Sequence, residues 1–597
     1  MVTNKNVLRL AIVVLLLGGA PPSTTEALAQ DALVTFHVSI PNPGNKLFHV
    51  RAEVAGGSQQ SVQLDWPAWT PGYATIWDYG QHVTNLVAKD QQGNRLPSSR
   101  LSENRWVIVT HGTPNVSFEY DVRAINTEDD LGFAQAYLDS IQGWYNGAAL
   151  FPEIPGFRDT PQKVQFTLPP GWQLATAMIP TAQTNEYVVS NYDELVDSPI
   201  QVGSFLKKVI NVQQVPITIV VAGIRDVNME ELGALIRAIA ENQFALMGGS
   251  NVDRYLFIFH AGIKGAGGLE HSNAVTISLR MEEYTKKDSW LKVVAAHELF
   301  HLWNAKRIHV ERFDRYDYSR PHRSKEVWFA EGITAYYTDL SLFRAGLMPK
   351  ADLYKSLADI LDMYENNPAH LRLSWEDISW YIWDEEIRQG LGVWLLPGWM
   401  IDLKIRDATD NRFSLDDVMR FLNTWYGDTG KGYPESGLGA ICSAVAQTDI
   451  SSFFRDHISG YTPFPYEQLF GAAGLKWEKA TSRVPSIGCD FFWSLKGHVK
   501  AIGVEEGGPA YIAGIRTGDK ILTINGMQYG NRQEIAKTKS QMHIGDTLVV
   551  TFLRGDVESR ATIIVASRSV VKSTIVEMEK PTERQLRVRE GILKGTP

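Results

Sequence analysis

Residues 297–301 read His-Glu-Leu-Phe-His. On a helix the two histidines stand one turn apart on one face. The surrounding stretch, Trp290-Leu-Lys-Val-Val-Ala-Ala-His-Glu-Leu-Phe-His-Leu-Trp303, is apolar on nearly every side. A helix of that kind lies buried, and a buried His-Glu-His needs partners to offset desolvation. Hydrogen bonds are the ordinary answer; a metal is the other. Two imidazoles so placed can hold one Zn²⁺, and Glu298 between them can take a proton from a water activated by it. Thirty positions on, a second helical-looking stretch, Trp-Phe-Ala-Glu-Gly-Ile-Thr, carries Glu331. With His297, His301 and Glu331 as ligands, one zinc per chain keeps its fourth position open, as hydrolytic sites require.

The 597 residues, 44% hydrophobic, allow several domains with large cores. A formal charge of −9 gives no basic surface that would argue for nucleic acid. Lys5 and Arg9 precede an apolar run from Leu10 to Gly19, and Ala27-Leu28-Ala29 follows. This reads as a signal peptide over 1–29, hence export to the periplasm or medium, with no membrane span after cleavage. Cys442 and Cys489 fall in different predicted domains, so two free thiols are the simpler expectation.

Along the chain, the expected fold class is multidomain α+β. From 30 to 205, segments such as Val34–Ile40, Val62–Trp66, Trp106–Thr110 and Val116–Tyr120 alternate or are β-branched and aromatic, with Pro/Gly turns between them. They predict an antiparallel β-sandwich. The aromatics Trp66, Trp69, Tyr73, Trp77 and Tyr79 fit a sugar- or peptide-binding shelf, although core and rim packing is the commoner reason for them. From 206 to 475 helical spacing dominates, with Tyr255–Phe259 as a buried strand and a helix over 326–345. From 485 to 570 the pattern is β-rich around Gly508-Pro-Ala-Tyr-Ile-Ala-Gly-Ile-Arg-Thr-Gly-Asp-Lys-Ile-Leu-Thr-Ile-Asn-Gly526, where a short helix, a Gly-Asp turn and a strand ending in Asn-Gly are predicted. This string resembles the PDZ domain of secreted bacterial proteases, a module that captures C-terminal peptides by strand addition. A small β-barrel with a packing role is the alternative. Residues 571–597 are charged and read as a loose tail.

Taken together, Gly267-Gly-Leu-Glu-His271, His297-Glu-Leu-Phe-His-Leu-Trp-Asn-Ala-Lys-Arg307 and Trp328-Phe-Ala-Glu-Gly-Ile-Thr-Ala-Tyr-Tyr337 resemble the secreted glycyl aminopeptidase family of thermolysin-like zinc peptidases. The resemblance implies an N-terminal β domain, a zinc catalytic domain and a C-terminal PDZ domain. It implies His297, His301 and Glu331 as zinc ligands, Glu298 as general base, and cleavage of small N-terminal residues such as Gly or Ala. The Gly-Gly-Leu-Glu-His segment is similar to the exopeptidase loop of aminopeptidase N, which makes Glu270 the anchor of a substrate's free amine. Gly267 and Gly268 would let an extended peptide approach closely.

Two features depart from the family. A Tyr-Tyr-x-x-Gly segment common in relatives would fall near 390–394, where this chain has Gly390, Leu391, Gly392, Val393 and Trp394. A tyrosine there would serve the oxyanion; Tyr381, Tyr336 and Tyr337 are the substitutes, with Tyr381 put forward. Position 335, one turn beyond Glu331, is Ala, so no carboxylate there orients a ligand histidine, and Asp339 lies a turn farther. An endopeptidase, or a weakly active scaffold working through its PDZ domain, are the competing expectations.

Overall fold

The computed structural model describes residues 33–57, 59–125, 135–262, 267–284, 290–367, 372–384, 396–493, 498–529 and 532–595, together with Thr25 and Leu28. The rest of the signal-peptide expectation, and positions 390–394, lie outside them.

The N-terminal region is sheet-rich. Val34–Ser39 buries Val34, Phe36 and Val38 on one face and leaves the alternate residues half-buried, as a period of two requires. It sits within an eight-stranded sheet, antiparallel to Leu47–Val54 and parallel to Gln162–Thr167. The predicted sandwich is therefore not wholly antiparallel. The long stretch of chain between Ser39 and Gln162 makes the parallel pairing possible. A three-stranded sheet, Ser61–Asp65, Arg105–Val109 and Ser98–Arg100, contributes to the same core. Trp66, Trp69 and Tyr79 are core residues, with Trp77 packed against them, which leaves little of an aromatic shelf.

A separate four-stranded sheet joins this region to the next. Its strands Gln142–Asn146 and Pro199–Gly203 are buried at every position. The apolar cluster Ala175, Ala177, Phe205, Val220, Ala222, Leu256, Ile258 and Ala274 spans the junction.

The middle region opens with a five-stranded sheet, where periodicity had suggested one buried strand. Its order is Phe205–Val212, Val215–Ala222, Tyr255–Ala261, Ala274–Leu279 and Gly267–Glu270. The segment Gly267–Glu270, likened in sequence to an exopeptidase loop, is an edge strand antiparallel to Ala274–Leu279, with Glu270 opposite Val275. The motif helix, Leu291–Phe300, packs against this edge and against the long helix Val327–Arg344. Gln243, fully buried on Met229–Met247, donates to Ala296 O at 2.7 Å and ties a third helix to the pair.

The C-terminal region has a five-stranded sheet from Asp490–Trp493 to Val557–Ile564, with short helices Pro509–Ile512 and Arg532–Ser540. Strand Lys520–Ile524 ends in Asn525-Gly526, both at positive φ, as the Asn-Gly signal predicts. Cys489 packs against this region's core, whereas Cys442 is buried in the middle region, and both are free. Leu475–Ser486 and Ala566–Glu577 form a twelve-residue antiparallel ribbon that leads into the sheet and back out.

The tail is folded. Thr582 and Gln585 form a capping box on helix Glu583–Lys594. Val588 and Ile592, one turn apart, are buried in the middle region's core, and Arg344 donates to Ile592 O at 2.7 Å. Charged neighbours mask this sparse i,i+4 pair in the sequence. Ile592→Ala should destabilise the docked helix by about 2–4 kcal/mol. Hydrogen exchange over 583–594 against denaturant checks this; unchanged protection would make the docking incidental.

Candidate active site

The motif helix ends at His301, whose αR conformation closes its last turn. Asn304, fully buried just beyond, donates to Phe329 O (2.9 Å), Ala330 O (3.0 Å) and Thr334 Oγ1 (3.1 Å). One amide thus pins the end of the motif helix to the turn of the long helix that carries Glu331. The result brings His297 Nε2 and His301 Nε2 to 3.2 Å, with Glu331 Oε2 at 3.4 and 3.8 Å from them.

The far side of each imidazole fixes its tautomer. His301 Nδ1 donates to Asn304 O at 2.8 Å. Thr338 donates its hydroxyl proton to Thr334 O (2.8 Å), which leaves its oxygen to accept from His297 Nδ1 at 3.3 Å. With both Nδ1 atoms engaged on the far side, the two Nε2 atoms are the ones turned toward Glu331, where they can serve as ligands. Ligands held at about 2.0–2.1 Å around a tetrahedral cation stand about 3.3 Å apart, close to the separation observed. The donor set and spacing fit a bound metal. Thr334 and Thr338 take the orienting role sought from a carboxylate at position 335; Asp339 instead accepts from Ser356 at 2.6 Å.

Two further carboxylates converge here. Glu298 is 7% exposed, and among the described residues its Oε2 has no hydrogen-bond partner. Gly268 lies so close that a Cβ there would stand 2.4 Å from the Glu298 carboxyl carbon. Glu270, 6% exposed, belongs with Glu298 and His301 to a second group whose potential ligand atoms all lie within 4.8 Å of one another. Gly267 begins the edge strand opposite Ser278. Burial pushes the Glu298 carboxyl well above its ordinary range, and the charges of Glu270 and Glu331 add to this. Burial would raise Glu331 too, but His301 and His297 hold it below the usual value.

Tyr381 is not part of the cluster. It caps helix Trp375–Trp380, is 40% exposed, and no interaction among the described residues joins it to these groups. Tyr336 and Tyr337 donate to Asp402 (2.7 Å) and Asp416 (2.8 Å) in the core. Tyr316 does lie within range of the Glu270 charge; burial raises its phenol to about 12. Nothing in its local sequence marks it.

Gly268→Ala should displace Glu298 and cut peptidase activity at least roughly 100-fold, the cost typical of a misplaced reacting group. Activity within a few-fold of wild type would show that Glu298 does not need this contact.

Family models match three segments. Residues 35–204 match the peptidase M61 N-terminal domain, 290–392 the M61 glycyl aminopeptidase, and 485–565 a PDZ domain. No curated protein matches. Among solved structures, an aminopeptidase N family protein from Idiomarina loihiensis superposes with a TM-score of 0.79 at 22% identity, over 94% of this chain and 100% of that one, and so shows the same fold. An M1 zinc metallopeptidase from Deinococcus radiodurans overlaps more loosely, at a TM-score of 0.45 and 14% identity, over 72% of this chain and 95% of its own. The chain thus carries, in that order, segments that match the N-terminal and peptidase models of the M61 glycyl aminopeptidase family and a PDZ model.

Proposed function

We propose that this protein is a zinc-dependent aminopeptidase that removes N-terminal residues, small ones such as Gly or Ala, from peptides with a free amine. The observation that carries this reading is the placement of Glu270 beside Glu298 and His301, with potential ligand atoms within 4.8 Å of one another. A carboxylate fixed beside the reaction centre pairs with the substrate's α-ammonium and so measures one residue from the chain end.

His297, His301 and Glu331 would hold one Zn²⁺ per chain. When bound, it supplies a Lewis acid that polarises the scissile carbonyl and acidifies water. Glu298 takes the proton of the attacking water and returns it to the leaving amine. Its burial and proton-accepting oxygen suit that exchange. Gly268 leaves backbone room both for Glu298 and for an extended peptide.

The first 29 residues are proposed to direct export to the periplasm or medium. The C-terminal sheet is proposed to take a C-terminal peptide at its PDZ groove. Among the described residues no helix is long and apolar enough to cross a membrane.

Elemental analysis should find about one zinc per chain, and chelation should abolish activity that zinc then restores. Protein without zinc, and without activity on its addition, refutes the metal assignment. Glu298→Gln should keep the metal and lose several orders of magnitude in kcat. Retention of more than about a tenth of the rate, worth only ~1.4 kcal/mol, would remove Glu298 as base. Glu270→Ala should lower kcat/KM for free-amine substrates roughly 10- to 150-fold, as loss of a charge-assisted bond does. N-acetylated substrates, poor from the start, should hardly change. Efficient wild-type cleavage of blocked peptides would make the enzyme an endopeptidase.

A further inference from the structure

The turn after Glu270 is held by a residue from another region of the chain. His271 Nδ1 lies 3.2 Å from Asp197 Oδ1, while the Ser272 amide (2.8 Å) and hydroxyl (2.6 Å) both donate to Asp197 Oδ2. Asp197 caps helix Tyr192–Val196 and leads into Pro199–Gly203, the fully buried strand of the four-stranded sheet. It therefore belongs to the segment matched by the N-terminal family model.

Asp197 has a counter-ion from the catalytic segment. Lys306, five residues after His301 and with only 7% of its side chain exposed, donates to Asp197 Oδ1 at 2.8 Å. Burial alone would favour a protonated Asp197, but Lys306 and His271 reverse this and hold it far below the usual carboxylate range. The N-terminal region also touches Glu270 directly. Gly72, at φ +90°, stands where a Cβ would lie 2.7 and 2.9 Å from the two Glu270 oxygens. Glu270 is thus confined on one side by Gly72 and along its own backbone by Asp197.

We propose that Asp197 is a positioning residue for Glu270: it locks the 270–272 turn so that the Glu270 carboxylate faces the incoming substrate ammonium, with Lys306 as its counter-charge. This rests on Glu270 being the amine anchor. The N-terminal region then takes part in recognising the chain end, not only in solubility or packing.

A purely architectural clamp would affect folding and all substrates alike. A positioning role predicts a selective effect read through Glu270. The test uses full-length Asp197→Ala in wild-type and Glu270→Gln backgrounds, with an alanyl anilide and its N-acetylated form. KM for the free amine should rise roughly 10- to 100-fold with kcat within a few-fold, while the blocked substrate is unchanged. In the Glu270→Gln background the further loss should be under about 2-fold, because both changes act through one group. If Asp197→Ala does not fold with Lys306 left unpaired, Asp197→Leu combined with Lys306→Met removes the acceptors together with both charges and is read the same way. An unchanged KM, or losses that multiply with Glu270→Gln, overturns the proposal while the anchor stands. If Glu270→Ala itself treats free and blocked substrates equally, the anchor reading fails and takes this proposal with it.

Discussion

The desolvation of Glu298 is the constraint around which the centre is organised. It lies on a helix with almost no polar face and shares its space with Glu270 and Glu331. Like charges gathered in a poorly solvated volume repel strongly unless a cation joins them. The nearby ammonium, Lys306, already serves Asp197. The Nε2 atoms of both histidines face the same space. The fold thus leaves a place with a ready-made donor set. The apparatus around it, from Asn304 to Thr338, holds those donors at fixed separation so that a cation meets an already arranged site.

The same centre depends on a junction between regions distant in sequence. The two central strands of the four-stranded sheet are buried at every position, and the apolar cluster beside it draws on that sheet's edge and on the middle sheet alike. Such a joint resists relative motion more than a polar interface would. It brings Asp197 and Gly72 to the edge strand with little freedom to drift. Rigidity at the joint and definition at the site are therefore one property of the packing.

The features that could be read from the sequence were those with a fixed local spacing. His297 and His301 at i and i+4, the alternation in Val34–Ser39 and the Asn525-Gly526 turn each encode their geometry within a few residues. Thr334 and Thr338 were missed because threonine in a buried helix has many ordinary explanations; only the histidines opposite give these two a role. Gly267–Glu270 was likened to a loop, and its two glycines hide four residues of pairing that tertiary context alone supplies. Asp197 is more than seventy residues from the turn it holds, and its neighbours Val196 and Ser198 give no hint of a partner. The tail's helix was hidden for a different reason: two apolar residues among many charges look like disorder until the cavity that receives them is known.

The ribbon formed by Leu475–Ser486 and Ala566–Glu577 has a topological meaning. The chain leaves the peptidase region along one strand, builds the PDZ-type sheet, and returns along the other to lay its last helix back on the peptidase core. The accessory sheet is therefore an insertion within a long hairpin, not an appendage on a single tether. Asn366 bonds both the amide and the carbonyl of Val571, and Asp362 pairs with Lys572, so the returning strand is fastened at its middle to helix Lys350–Glu365 and its C-cap. A load applied to the inserted sheet, such as a captured protein pulling on it, would pass into the peptidase core through two antiparallel strands and their shared hydrogen bonds. A domain on one linker is held at a single point; this module is held by both ends of its chain.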